Sequence, residues 1–159
     1  MSTYFVENVI DQIYTILYAS IAAKLDTIDT EKDDGIVLDD IVKWYKCQKI
    51  KIGRYPSIEI FPTSSPGENH TAYGVRSEHE ISIRISEVGS DEEELFKRIW
   101  RYLRAITEIL MDSDTLRSAD YGLCNFRGHE YDEVTEGNAG LLYRGTVNIM
   151  VDQHEHTNH

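Results

Sequence analysis

The chain has 159 residues and a mass of 18.3 kDa, with 41% hydrophobic and 28% charged residues. That suits one domain with its own core and argues against general disorder. Twenty-eight acids against sixteen bases give a net charge of −12, so the counterion release that drives general nucleic-acid binding is denied to the chain as a whole. Two cysteines, Cys47 and Cys124, form neither a disulfide framework nor a zinc motif.

The N-terminus carries Glu7 and Asp11 and no basic region, so it reads neither as a secretory signal nor as a membrane span. The chain is expected to be soluble and intracellular when made. Residues 3–26 are predicted as a helix, because Val6, Val9, Ile10, Ile13, Tyr14, Leu17 and Ile21 recur at the helical period. Its other face, with Asn8, Asp11, Thr15, Tyr18, Ala19 and Ala22, is nearly uncharged. Two readings stay open there: a core helix covered on several sides, or a helix whose second face meets a neighbouring subunit.

Residues 29–35, DTEKDDG, read as a charged turn. Spacing from Asp29 fails as a calcium loop, since Asp34 stands where glycine is required and Asp40 where glutamate is. A short helix is expected over Leu38–Lys46, burying Ile41, Val42 and Tyr45. The period then changes to two. Ser57–Phe61, His79–Ile85 and Thr146–Val151 alternate, with Ile58, Ile60, Ile81, Ile83, Ile85, Val147, Ile149 and Val151 turned inward. A fourth strand is placed within Leu123–Val134.

The second long helix, 91–112, opens on Ser90 and Glu93 as a capping box and on four consecutive acids at the positive end of its dipole. Leu95, Phe96, Ile99, Tyr102, Leu103, Ile106, Ile109 and Leu110 share one face. The predicted order is α-α-β-β-α-β-β. It gives a two-layer α+β sandwich with a mostly antiparallel four-stranded sheet and the helices at 3–26 and 91–112 on one face. Residues 1–152 form the domain and 153–159 a polar tail.

Few patterns point to chemistry. There is no nucleophile elbow, and Gly137-Asn-Ala-Gly140 lacks the third glycine of a dinucleotide loop. His154, His156 and His159 share the tail, but a free tail supplies no second shell to fix the rings of a metal site. No cofactor, metal or catalytic residue is therefore assigned. Lys97, Arg98, Arg101 and Arg104 form a basic stripe. It could grip an acidic partner, but Glu93–Lys97, Glu94–Arg98 and Arg104–Glu108 are also four-residue pairs of an ordinary solvated face. Residues 62–78, PTSSPGENHTAYGVRSE, are predicted as a long loop where roughly two to five residues would do. Its mix of Pro, Ser, Gly, Tyr73 and Arg76 suits either a flexible tip or a docking arm, and Tyr and Arg favour docking.

The phrasing Tyr55–Pro62, the alternating strand opened by His79, the helix start Ser90-Asp-Glu-Glu-Glu-Leu, the Asp114-Thr-Leu116 turn and the closing strand Leu141–Val151 together resemble the tail terminator, or tail-completion, proteins of long-tailed bacteriophages. The resemblance spans about residues 3–152 and is strongest over 55–116. It implies a structural virion protein without catalysis, made in the host cytoplasm. Such a protein forms a hexameric ring on the tail tube protein, stops tube polymerisation and joins a head-side connector or stopper protein, while genomic DNA passes through without specific binding. No membrane is involved.

Regions carried over are the 62–78 loop and the 134–140 turn. Candidate assembly residues are Tyr18, Tyr73, Arg76, Lys97, Arg101 and Arg104. The 29–49 insert and the histidine-rich tail depart from the pattern. They leave room for another neck or head-completion component, or for a small α+β ligand-binding domain or enzyme marked by a deep apolar cleft.

Overall fold

A computed structural model describes residues 6–71, 74–113, 121–137 and 140–156, with the backbone alone for 66–71, 74–76, 121–123 and 153–156. Along the chain these residues form α1 (Val6–Lys32), β1 (Lys43–Tyr45), β2 (Ser57–Thr71), β3 (Gly74–Gly89), α2 (Glu92–Met111), β4 (Tyr121–Tyr131), β5 (Thr135–Gly137) and β6 (Gly140–His156). The fold is α+β, with two helices on one six-stranded open sheet ordered β1-β2-β3-β6-β4, β5 also pairing with β6. Only β1 and β2 run parallel; the other pairs are antiparallel.

The apolar stripes predict the core well. α1 buries Val9, Ile13, Leu17 and Ile21 and continues the stripe through Leu25 and Ile28, so the helix runs six residues past its expected end. It stops where Asp33 and Gly35 take left-handed φ values of 43° and 81°, conformations that end a helix. α2 buries Leu95, Ile99, Tyr102, Leu103, Ile106 and Leu110. Its cap is Asp91, one residue after the expected Ser90: the Asp91 carboxylate accepts the Glu94 N–H at 2.8 Å. Ile58, Ile60, Ile81, Ile83, Ile85, Val147, Ile149 and Val151 all lie fully buried against these helices.

Three expectations need correction. Residues 38–46 are not a helix. The run Ile41-Val-Lys-Trp-Tyr45 is β-branched and aromatic, which favours a strand, and a nine-residue helix gains too little to nucleate alone. Residues 43–45 pair with Ser57–Glu59, and Val42 N–H donates to the Pro56 carbonyl at 2.9 Å. Ile41 and Trp44 pack on the core, whereas Val42 is 49% exposed.

Within the 62–78 stretch, residues 62–71 and 74–78 are strand and not loop. β2 and β3 stay paired as far as Thr71 and Gly74, with register shifts between Pro62 and Ser64 and between Ser64 and Gly67. Backbone pairing needs no apolar alternation, and β6 pairs with β3 over its whole length, Gly74 facing His156. Pro62 borders the first register shift and Pro66 falls within the second, irregularities where a missing donor is tolerated. The third correction is the sheet itself: β1 and β5 raise the count to six. β6 also continues through His156, into the stretch expected as a polar tail.

Helix and sheet approach closely at Gly145. A Cβ there would stand 2.7 Å from a Leu103 methyl and 2.8 Å from an Ile99 methyl. Gly145→Val is expected to cost about 1–3 kcal/mol by overpacking, read as a lower midpoint in urea with an unchanged slope. An unchanged midpoint would mean that α2 does not press on β6 there.

Candidate assembly surfaces

The basic stripe of α2 is largely consumed within the chain. Lys97 meets Glu93 at 3.0 Å, Arg98 meets Glu94 at 3.2 Å and Arg104 meets Glu108 at 2.9 Å, the four-residue pairs read from sequence. The end of α1 and the segment after it add partners that sequence spacing does not show. Arg104 also holds Glu31 at 2.8 Å, Arg98 holds Asp39 at 3.2 Å, and Arg101 grips Asp34 with both guanidinium nitrogens.

Arg101 is only 8% exposed. Its hydrogen bonds pull the Asp34 carboxyl down to about 2, and Glu31 is lowered by Arg104 in the same way. Nearby, Tyr102 donates its buried hydroxyl to the Asp39 carbonyl at 2.8 Å, and the Asp29 carboxylate accepts the Leu38 N–H at 3.1 Å. The stripe thus clamps the 29–39 segment onto α2. Those acids, which failed as a calcium loop, act as the clamp's other jaw.

The pH consequence follows from the sign. Asp34 is depressed from 3.8 to about 2, so its contribution is complete above pH 3.8 and is lost as pH falls through 2. An acid-unfolding titration should show this component in the wild type and lose it in Asp34→Asn. Identical acid limbs would remove Asp34 from the clamp.

Tyr18 is 61% exposed on the uncharged face of α1, beside exposed Thr15, Ala19 and Ala22. Its ring lies 5.5 Å from Tyr14 and 5.8 Å from Trp44, and Lys46 bridges Asp11 at 2.8 Å. Tyr73 lies outside the described residues. Arg76 sits on β3 between Asn69 and His154, described by its backbone. The 134–140 turn contains β5 and the start of β6, with residues 138–139 outside the described set. The described candidate residues lie on three elements: Tyr18 on α1, Arg76 on β3, and Lys97, Arg101 and Arg104 on α2.

β3, at 16 residues, spans about 53 Å, whereas the 20 residues of α2 span about 30 Å. α1, with 27 residues, spans about 40 Å, and β2, β3 and β6 stay paired for seven residues of β3 beyond Ile81, about 23 Å, to the Thr71–Gly74 end. Among the described residues, depressions of about 130, 260 and 320 Å³ lie beside Ser90, Leu142 and Trp100 respectively. Among the described residues no group of acids, histidines and cysteines is placed to hold a metal ion, and no helix is long and apolar enough to cross a membrane.

Two charged edges escaped the reading of motifs. Lys43, Lys46, Lys49, Lys51 and Arg54 fall in a stretch, Ile41–Ile58, that has no acid at all. Glu130, Asp132, Glu133 and Glu136 fall between Arg127 and Arg144 with no Lys or Arg among them. A running charge count would have exposed both; the expected 38–46 helix hid the first by dividing it.

No family model matches the sequence, and no curated protein matches it. A chain of a solved structure described as "Virion of native gene transfer agent (GTA) particle" is similar at 11% identity, with a TM-score of 0.49, over 96% of this chain and 100% of that one.

Proposed function

We propose that the chain is a structural virion protein of the tail-terminator kind, without catalytic role. Copies form a ring on the finished tail tube, hexameric there, that ends tube growth and joins the tail to the head-side connector. The observation that carries the reading is the three-stranded arm. A body of helices on sheet supplies lateral surfaces, while β2, β3 and β6 stay paired about 23 Å beyond Ile81, a three-stranded projection suited to an axial neighbour. The sequence resemblance, strongest over 55–116, falls on β2, β3 and α2, and its Asp114–Leu116 part lies outside the described residues.

Charge is consistent with a conduit. Each copy carries −12, and a wall of that sign repels phosphate, whereas a basic lining would retain DNA at cellular salt. The α2 stripe, already paired with its own acids, adds no basic lining.

Particles produced without this chain test the proposal. Tubes of uncontrolled length and heads left unjoined are expected, with joining restored when the purified protein is added. Tails of normal length already joined to heads would overturn it.

A further inference from the structure

We infer that the two charged edges of the sheet are the two halves of one contact, through which each copy binds the next head to tail. The inference rests on the ring reading for its biological setting, and on charge, topology and register for its content.

β1 and β4 stand at opposite ends of the strand order, and among the described residues each is paired on one side only. An unpaired strand edge is a template for another strand. The β1 end is basic. Lys43, Lys51 and Arg54 are exposed, and among the described residues none of them makes an ion pair; Lys49 only overlies the Tyr45 ring at 5.1 Å. The β4–β5 end is acidic, with Glu130, Asp132, Glu133 and Glu136 all exposed. Exposed apolar groups accompany both charges: Val42 (49%) and Ile50 (96%) on the basic side, Phe126 (43%) and Tyr131 (53%) on the acidic side.

The rows of the sheet bring the two ends level. Lys43 pairs with Ser57, Ser57 with Ser86 and Ser86 with Arg144, and Asp132 N–H donates to the Arg144 carbonyl. Two rows further, Tyr45 leads through Glu59, Arg84 and Thr146 to Glu130. Basic and acidic ends therefore lie in the same rows, and apposing two copies needs no slide along the strands. The strand directions also agree. β1 runs with β2, and each step through β3 and β6 to β4 reverses, so β4 of one copy meets β1 of the next antiparallel.

The occupant is a second copy of this chain. A net charge of −12 makes copies repel at long range, so a specific contact has to set opposite charges face to face. The acidic edge supplies the complement of the basic one on the same molecule. Because the two surfaces differ, the contact is heterologous, and it closes into a ring or runs on as a filament.

Charge reversal tests this in solution. The basic-edge variant Lys43→Glu/Lys51→Glu/Arg54→Glu and the acidic-edge variant Glu130→Lys/Asp132→Lys/Glu133→Lys are each followed by sedimentation at low and high salt. The thermal midpoint of each variant checks its folding. Wild type is expected to associate with rising concentration and to weaken with salt. Each variant alone should associate on the order of 100-fold less or weaker, because like charges now face each other. Mixing the two variants should restore association, since each supplies the edge the other needs.

Association that survives in both folded variants would overturn the edge contact while leaving a ring built on another surface. Wild type that stays monomeric at low salt would overturn it too, and the particle-deletion experiment then judges the virion reading separately. A basic edge that binds duplex DNA, with loss on reversal and no change in self-association, would reassign that edge to nucleic acid.

Discussion

Leu103→Asp is expected to give no soluble, folded protein. Leu103 is 1% exposed in the middle of α2, and its methyl groups crowd the backbone of β6 at Gly145. An aspartate there would leave a carboxylate with no cation and no room for water, or would take a proton to avoid it. Either route costs several kcal/mol, against a total stability of about 5–15 kcal/mol for a domain. Lys97→Asp, on the solvent side of the same helix, should remain folded. A Leu103→Asp protein that is soluble with an unchanged melting temperature would show that this face is not the core.

The second large effect belongs to the other face of the sheet. Glu59 has no exposed surface. Its carboxylate accepts Arg84 Nε at 3.1 Å and Nη2 at 2.7 Å, together with the Lys49 N–H at 2.7 Å. Arg84 in turn lies over the Phe61 ring at 5.4 Å. Glu59→Ala leaves the Arg84 guanidinium partly buried without its anion, and frees the backbone anchor that holds the β1–β2 connection across this face. Losing one partner of such a pair costs about 3–5 kcal/mol. Chemical denaturation should report it; a loss below about 1 kcal/mol, the worth of an exposed pair, would mean that water reaches the site. Because the same anchor positions Lys49 and its neighbours, the variant should also weaken self-association.

What was legible in the sequence was whatever repeats locally. Ile81, Ile83 and Ile85 alternate and Leu95 to Leu110 recur at the helical period, so the side each buries can be read without knowing the partner. The polar half of β2 has no such pattern. It holds as a strand because β3 is pinned from its other side by β6, a pairing between segments some eighty residues apart. The α2 stripe divided the same way. Its four-residue pairs were visible, whereas Arg101 and Arg104 find Asp34 and Glu31 only after α1 has folded back. Glu59, placed by alternation on a solvated face, is buried because residues 46–56 cross above it. The two edges of the sheet needed topology as well as charge: nothing in the sequence places Lys43 and Asp132 in one row.

Imaging the assembled particle tests the central claim most directly. A ring of this chain at the head-side end of the tail tube is predicted, with the Lys43–Arg54 edge of each copy against the Glu130–Glu136 edge of its neighbour and the β2–β3–β6 arms pointing along the axis. A chain absent from the particle, or present as a monomer beside a bound small molecule, would contradict it.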